Sequence, residues 1–305
     1  MYTNILVPLD TSSAAEQILT YVQQLSVPET RLHLVAVVEP NMYSYALSAQ
    51  EAAVRDKLQH VLQTDMERYL TTMTQKLRDQ DLCVESWVAQ GDAAQTIADV
   101  AIKIKADLIA MTTHGRTGFG RWALGSIADR VIHIAQQPIL LVRTMKSPPE
   151  DIAIRRILVP SDGSQRAAEA LVQAKMIAAK QGAELLLIRV VEPLTGWQQA
   201  LLAEGGYSAQ DIARERWQEA ERYLADLCAQ LQSEKLEVSG RLYSGIASDM
   251  ILKVLEQDSI DLVVMSSHGL SGYNRWVYGS VAGKVLHHAP CPLLLIRGVD
   301  VQSHI

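Results

Sequence analysis

The sequence predicts an α/β protein built of two tandem, doubly wound domains, each with a five-stranded parallel sheet flanked by helices. Three observations predict this. Residues 111–126 return at 265–280 with one constant offset: His114, Gly115, Trp122, Gly125 and Ser126 are matched by His268, Gly269, Trp276, Gly279 and Ser280. Near the start, Ile5-Leu-Val-Pro-Leu-Asp10 returns as Ile157-Leu-Val-Pro-Ser-Asp162, so only small insertions separate the halves. Between these landmarks, runs of β-branched and aliphatic residues alternate with helix-length amphipathic segments, the pattern of parallel βαβ units. A repeat this long exceeds a solenoid unit of roughly 20–50 residues. Each half is therefore a complete domain, and function belongs to what the halves share.

In order along the chain, the first strand spans 4–9, where the apolar run of Ile5, Leu6 and Val7 suits a strand covered on both faces. A helix over 13–24 follows, then strands over 31–38 and 82–89 around a long helix over 49–78. A helix over 93–105, a strand over 107–112, a helix over 125–135 and a closing strand over 139–143 complete the first half. The second half offers strands over 155–161, 184–191, 237–243, 261–266 and 293–297, with counterpart helices between them. Right-handed crossovers constrain how such strands connect. Segments 40–50 and 193–210 follow the second strand of each half and are the least regular; they fit flaps over a site, or surface loops leading into a long helix. The prolines of Lys146-Ser-Pro-Pro-Glu-Asp151 break regular structure, which puts the domains at 1–146 and 152–300.

Hydrophobic residues make up 48% of the 305 residues, ample for two packed cores. A net charge of −6, with acids and bases mixed along the chain, provides no footprint for a nucleic acid or an anionic membrane. The apolar runs fall far below a membrane span. Cys83, Cys228 and Cys291 do not align between the halves and form no Cys-x-x-Cys, so no disulfide framework is expected and a reducing compartment fits. With no signal-like segment ahead of Ile5, the expectation is a soluble cytoplasmic protein.

In an open parallel sheet, ligands bind beyond the carboxyl ends of the strands, at the topological switch point. Asp10 and Asp162 follow the first strand of each half. Carboxylates there can accept from an adenine amino group or a ribose; each Asp also fits a helix N-cap. After the fourth strand, His-Gly is followed, after nine intervening residues, by Gly-Ser. Gly115 and Gly269 permit positive φ and close backbone approach. Gly125-Ser126 and Gly279-Ser280 open a helix, whose unpaired amides and dipole suit phosphate. A turn and an ordinary cap is the other reading, and recurrence of the spacing favours phosphate. Val37 and Val190, late in the second strands, can pack on an adenine face or belong to the core.

Other chemistry is not signalled. No Gly-x-Gly-x-x-Gly follows the first strand, and Gly279-Ser-Val-Ala-Gly-Lys284 is one residue short of a P-loop. His287 and His288 are adjacent, and adjacent helix positions do not share a face. His114 and His268 fit hydrogen bonding within their own loops better than base catalysis, and Trp122 and Trp276 fit packing. No catalytic residue and no metal ligand is assigned.

Taken together, these residues resemble the universal stress protein family in its tandem form, over essentially all of both halves. The resemblance rests on Ile-Leu-Val-Pro-x-Asp at the first strand, Val-Val-Glu-Pro after the second, the Gly91-Asp-Ala and Gly245-Ile-Ala turns, and Asp-Leu-Ile/Val-x-Met before the His-Gly loop. Gly-Ser and closing strands ending in Arg143 and Arg297 complete it. It implies a strand order of 3-2-1-4-5 and ATP or another adenine nucleotide as ligand, with or without magnesium. By the same resemblance, Asp10 and Val37 meet the adenine, and Gly115, Gly125 and Ser126 meet ribose and phosphates; Asp162, Val190, Gly269, Gly279 and Ser280 do so in the second half. The family's Gly-x-x-Gly has Thr112 and Ser266 in place of its first glycine. Both can donate a hydroxyl, and both add a Cβ that narrows the approach. Arg116 follows the first His-Gly and Leu270 the second, and arginine can add a charge-assisted bond to phosphate; the first site is expected to hold a triphosphate more tightly. The resemblance also suggests an intramolecular pseudo-dimer through the closing strands, compatible with a further homodimer. The function expected is an adenine-nucleotide-binding stress-response protein acting through conformation or partner choice. A slow ATP hydrolase and a nucleotide-free scaffold are the alternatives.

Overall fold

The computed structural model describes residues 1–39, 49–113, 124–145, 152–267 and 278–297. Chain packing divides it into two compact units, Met1–Ile152 and Ala153–Ile305.

The first unit runs β1 (Asn4–Pro8), α1 (Ser13–Glu16), α2 (Ile18–Leu25), β2 (Arg31–Val38), α3 (Ala49–Arg78), β3 (Cys83–Gln90), α4 (Ala93–Lys103), β4 (Leu108–Thr112), α5 (Ser126–Ile134) and β5 (Ile139–Val142). Its strands lie in the order β3-β2-β1-β4-β5, all parallel. The second unit runs β6 (Arg156–Pro160), α6 (Gln165–Gln181), β7 (Glu184–Val191), α7 (Gly196–Glu204), α8 (Ala209–Ser233), β8 (Val238–Ser244), α9 (Ala247–Gln257), β9 (Leu262–Ser266), α10 (Ser280–His288) and β10 (Leu293–Ile296). Its order, β8-β7-β6-β9-β10, is the same, again parallel.

The strand at the centre of each sheet is the one read as apolar throughout. Ile5, Leu6 and Val7 in β1, and Ile157, Leu158 and Val159 in β6, are fully buried, because helices cover both faces of a doubly wound sheet. Each central strand is stapled at its start by an aspartate. Asp107 accepts from the amides of Thr3 (2.7 Å) and Asn4 (3.1 Å); Asp261 accepts from those of Arg155 (2.8 Å) and Arg156 (2.9 Å). The Asp that opens each Asp-Leu-Ile/Val motif therefore has a structural task at the end of the sheet opposite the carboxyl ends.

Two segments differ from their sequence expectation. The helix expected over 13–24 is broken at Gln17 into α1 and α2, whereas α6 runs unbroken to Gly182, whose left-handed backbone (φ 64°) closes it. Within 193–210, a helix forms where irregular structure was expected. Thr195 and Gln198 make a reciprocal capping box at the start of α7. No residue of α7 is buried, so it lacks the apolar stripe by which helices are recognised in sequence. In the first half, 40–48 lies outside the described residues. Gly91 and Gly245, at φ 146° and 145°, turn the chain from the third strand into the next helix in a conformation that favours glycine.

Candidate functional site

Each first strand delivers an aspartate to the carboxyl edge of its sheet, where it bonds the start of the adjoining helix without being that helix's N-cap. The N-cap of α6 is Ser164, whose hydroxyl accepts from the amide of Ala167 (3.1 Å). Asp162 instead accepts, through Oδ1, from the amide of Ser164 (2.9 Å). The first half repeats this: Ser12 caps α1, and Asp10 Oδ1 accepts from the amide (3.0 Å) and the hydroxyl of Ser12. The cap thus falls to a serine two residues on, and the aspartate is locked in a local turn at the switch point. Its residue i+1 has a left-handed backbone in both halves, Thr11 at φ 69° and Gly163 at φ 82°.

The Gly-Ser pair is pinned to the fourth strand by its glycine. Gly125 N donates to Thr113 O (2.7 Å) and Gly279 N to Ser267 O (2.8 Å), while Thr113 N and Ser267 N donate to the closing strands at Val142 O and Ile296 O. The glycine amide is therefore engaged in the fold, not left for a ligand. The donors at the helix start are the next three amides, those of Ser126, Ile127 and Ala128 and of Ser280, Val281 and Ala282. They precede the first helical bonds, which run from Asp129 N to Gly125 O and from Gly283 N to Gly279 O. Neither glycine carries a side chain that could cap them.

Each of these helices is tied sideways to the preceding one. Arg130 of α5 makes a bidentate pair with Asp92, the N-cap of α4, with both bonds at 2.8 Å. Hydrogen bonding from Arg130 holds the Asp92 carboxyl below its ordinary range. In the second half, Lys284 of α10 pairs with Asp249 inside α9 and lowers that carboxyl likewise. The carboxylate has moved from the cap into the first turn, and the tie persists. Glu39 and Glu192, of the Val-Val-Glu-Pro segments, reach the amides of Ala93 (3.0 Å) and Ala247 (3.4 Å) at the start of α4 and α9.

In the second unit these elements surround a cavity of about 360 Å³ at the carboxyl edge of the sheet. Asp162, Val190, Ser266, Gly279 and Ser280 all line it, so residues from three strands' ends and one helix start are brought together. Gly269, with His268, Leu270 and Trp276, lies outside the described residues. In the first unit, Asp10 follows β1, half-buried Val37 pairs with Ala89 late in β2, buried Thr112 ends β4, and Gly125-Ser126 opens α5. Gly115 and Arg116, with His114 and Trp122, lie outside the described residues.

The cavity also has walls that sequence reasoning did not single out. Val281 and Ala282 contribute from the helix start, and Arg189, Arg216 and Glu219 line it as charged groups. Arg189 replaces an alanine of the first half, Ala36, and that mismatch between aligned strands was the available signal. A second cavity of about 300 Å³, bordered by Leu194, Gln199 and Trp217, shares Val191, Glu192 and Arg216 with the first. The main cavity combines a carboxylate acceptor after β6, an apolar wall at Ile188 and Val190, and amide donors at α10. That arrangement suits a flat ligand that donates hydrogen bonds at one end and carries negative charge at the other. Among the described residues, no three His, Cys, Asp or Glu side chains gather as a metal site, and no helix is long and apolar enough to cross a membrane.

Comparison with known proteins gives matches in both halves. The profile of the Universal stress protein family matches residues 1–143 and 153–297. A universal stress protein of Methanocaldococcus jannaschii is 30% identical, over 47% of this chain and 82% of its own. One from Mycolicibacterium smegmatis is 23% identical over 96% of each chain. The crystal structure of a universal stress protein from Archaeoglobus fulgidus superposes with a TM-score of 0.69 at 21% identity, covering 97% of both chains, a likeness of fold.

Proposed function

The chain belongs to the universal stress protein family, and on that premise we propose that it is a nucleotide-responsive binding protein of the stress response, with ATP or a related adenine nucleotide as its ligand. The observation that carries this reading is the convergence of Asp162, Val190, Ser266, Gly279 and Ser280 on one cavity of about 360 Å³, within the range of small-molecule sites. The Asp162 carboxylate accepts from the base or ribose, and Val190 packs against the ring. Ser266 supplies a hydroxyl, Gly269 allows close backbone approach, and the amides after Gly279, with the Ser280 hydroxyl, receive phosphate. Asp10, Val37, Thr112, Gly115, Gly125 and Ser126 take the same roles in the first half, where Arg116 adds a cation for the triphosphate.

Bound nucleotide bridges the loop after the first strand and the start of the helix after the fourth. Occupancy thereby favours the conformation in which those two elements are held together, and stabilises it by mass action. The test is mass analysis of nucleotide released from freshly purified protein, joined to ATP titration followed by thermal unfolding. An adenine nucleotide in the released fraction and a rise in Tm are expected. No co-purifying nucleotide and an unchanged Tm at millimolar ATP would remove the basis for the proposal.

A further inference from the structure

Core packing does not account for α7. No residue of it is buried, and Trp197 and Leu201 stand open to solvent. Local bonds fix it all the same. The capping box of Thr195 and Gln198 starts it, and Gln199 Nε2 donates to Leu194 O (2.9 Å). The Gly205-Gly206 turn then leads into α8, with Tyr207 N donating to Leu202 O (2.9 Å). At the root of this helical hairpin lies the cavity of about 300 Å³. Leu194 and Gln199 border it from the α7 side, Ala213, Arg216 and Trp217 from α8, and Val191 from the end of β7. The charged groups around it are unequally engaged. Glu192, on its border, reaches the amide of Ala247 (3.4 Å). Arg189, which lines the neighbouring cavity, is held against Gly163 and against the Tyr223 ring of α8, its Cζ 4.7 Å from the ring centre. The Arg216 side chain, by contrast, has no hydrogen-bond or ion-pair partner among the described residues. In the first half, Leu62 and Gln63 stand at the positions of Arg216 and Trp217, counting back from Tyr69 and Tyr223.

We propose that this smaller cavity is a second ligand site, for a small aromatic carboxylate. Its volume falls at the low end for small-molecule sites, roughly 300–1,000 Å³, which suits a single ring with a short acid chain. An indole offers a broad, rigid face on which a ring gains more than its area alone, and Val191, Leu194 and Ala213 complete an apolar wall. The unpaired guanidinium of Arg216 is the complement of a carboxylate, which it can hold through two parallel bonds. The site also has a consequence for its neighbour, because Val191, Glu192 and Arg216 border both cavities. A carboxylate that engages Arg216 leaves Asp162 and Glu219 less compensated in the larger cavity. Binding of the acid therefore opposes binding of an anionic nucleotide there, and by linkage the nucleotide opposes the acid to the same degree. This consequence alone rests on the larger cavity being a nucleotide site.

Calorimetric titration of the full chain with phenylpropionate, its neutral amide phenylpropionamide and the ringless acid hexanoate tests this, in wild type and in Arg216→Gln and Trp217→Leu. Wild type is expected to bind one phenylpropionate per chain, about 10-fold more tightly than either of the other two, the scale of one charge-assisted bond or one stacked ring. Arg216→Gln should bring phenylpropionate down to the level of its amide and leave the amide unchanged. Trp217→Leu should weaken both ring compounds and leave hexanoate unchanged. Tm of each variant checks that the fold persists, and the comparison of acid with amide in wild type carries the test without any variant. Saturating phenylpropionate should weaken ATP at one site by about 5-fold, the low end of such couplings. No binding of phenylpropionate at millimolar concentration, equal affinity for all three probes, or undiminished affinity in a folded Arg216→Gln overturns the site. ATP affinity untouched by saturating acid overturns the coupling and leaves the site. ATP that binds nowhere overturns the nucleotide reading, while binding of the acid still decides the site.

Discussion

At the scale of residues, Thr11 and Gly163 solve one backbone problem at different cost. Both hold positive φ, 69° and 82°, and a β-branched residue there carries about 1–2 kcal/mol of strain that glycine avoids. Thr11→Gly is expected to stabilise the first unit by up to about 1 kcal/mol, after the entropy that glycine adds to the unfolded chain. Gly163→Thr is expected to destabilise the second unit by at least that amount, since its Cβ also meets Arg189. Urea denaturation measures both, and a loss of stability in Thr11→Gly contradicts the assignment of strain. Arg116 belongs to this scale through its chemistry alone. Arg116→Ala should weaken ATP at one of two sites by about 10-fold, the low end for a charge-assisted bond, and leave the other unchanged. Equal affinity and stoichiometry in mutant and wild type count against unequal sites. The aspartates were legible in sequence as helix-start or ligand residues. Choosing between these needed the serine two residues on, because both types cap helices well and only geometry shows which oxygen reaches the amide.

At the scale of elements, the start of α10 and the start of α5 depend on ties that sequence comparison hides. Arg130 pairs with Asp92, and Lys284 with Asp249, yet the two carboxylates do not align in the repeat. Their common effect is to hold the helix that opens at Gly-Ser against its neighbour. Asp92 also caps α4 through Gln95 N (3.0 Å). Asp92→Ala should therefore cost about 1 kcal/mol from the cap and weaken nucleotide at the first site, whereas Asp92→Asn should keep most of the cap. Denaturant midpoints and ATP titration of the two variants separate cap from tie: only Asp92→Ala should lose the cap, both should weaken ATP, and wild-type ATP affinity in Asp92→Asn leaves the tie without a role. With its carboxyl pKa lowered on folding, the contribution of Asp92 is present above the ordinary carboxylate range and is lost as pH falls through the lowered value. Helices with a buried stripe were legible from their period. α7 was not, since it buries nothing and its capping box is its main local signal.

At the scale of the whole molecule, one scaffold is built twice with different polar interiors. At the amino ends of its strands, the second unit ties Arg156 to Glu184 (2.9 Å) and Asp258 (3.2 Å), with Arg241 on Asp258 (2.7 Å) and Ser239 on Glu184 (2.6 Å). The first unit has His33 there, 4% exposed, near Asn4 Oδ1 (3.3 Å) and Glu85 (3.6 Å), with Trp87 edge-on. Burial pushes the His33 pKa below its ordinary 6.5, against the opposing pull of Glu85 and with a smaller push from Arg31. A base whose pKa falls on folding is protonated first in the unfolded chain. Its stabilising effect is full above 6.5 and is lost progressively as pH drops through the lowered value. Acid sensitivity of this origin belongs to the first unit. His33→Leu, the residue of the second half at Leu186, should flatten the pH dependence of unfolding below 6.5; an unaltered slope shows that other groups govern it.

The sequence by itself determined the duplication, the five strands of each half, and the pairs of residues worth comparing, because apolar period, turn residues and helix starts are written in neighbouring positions. It also marked Asp162, Val190, Ser266 and Gly279-Ser280 individually. Their meeting in one cavity was decided by tertiary structure, since it depends on strand order and on which crossovers leave β6 in opposite directions. The same holds for Arg189. A strand's sequence shows that a charge stands near its end, but only the packing of α8 and the turn at Gly163 aim that charge into the site.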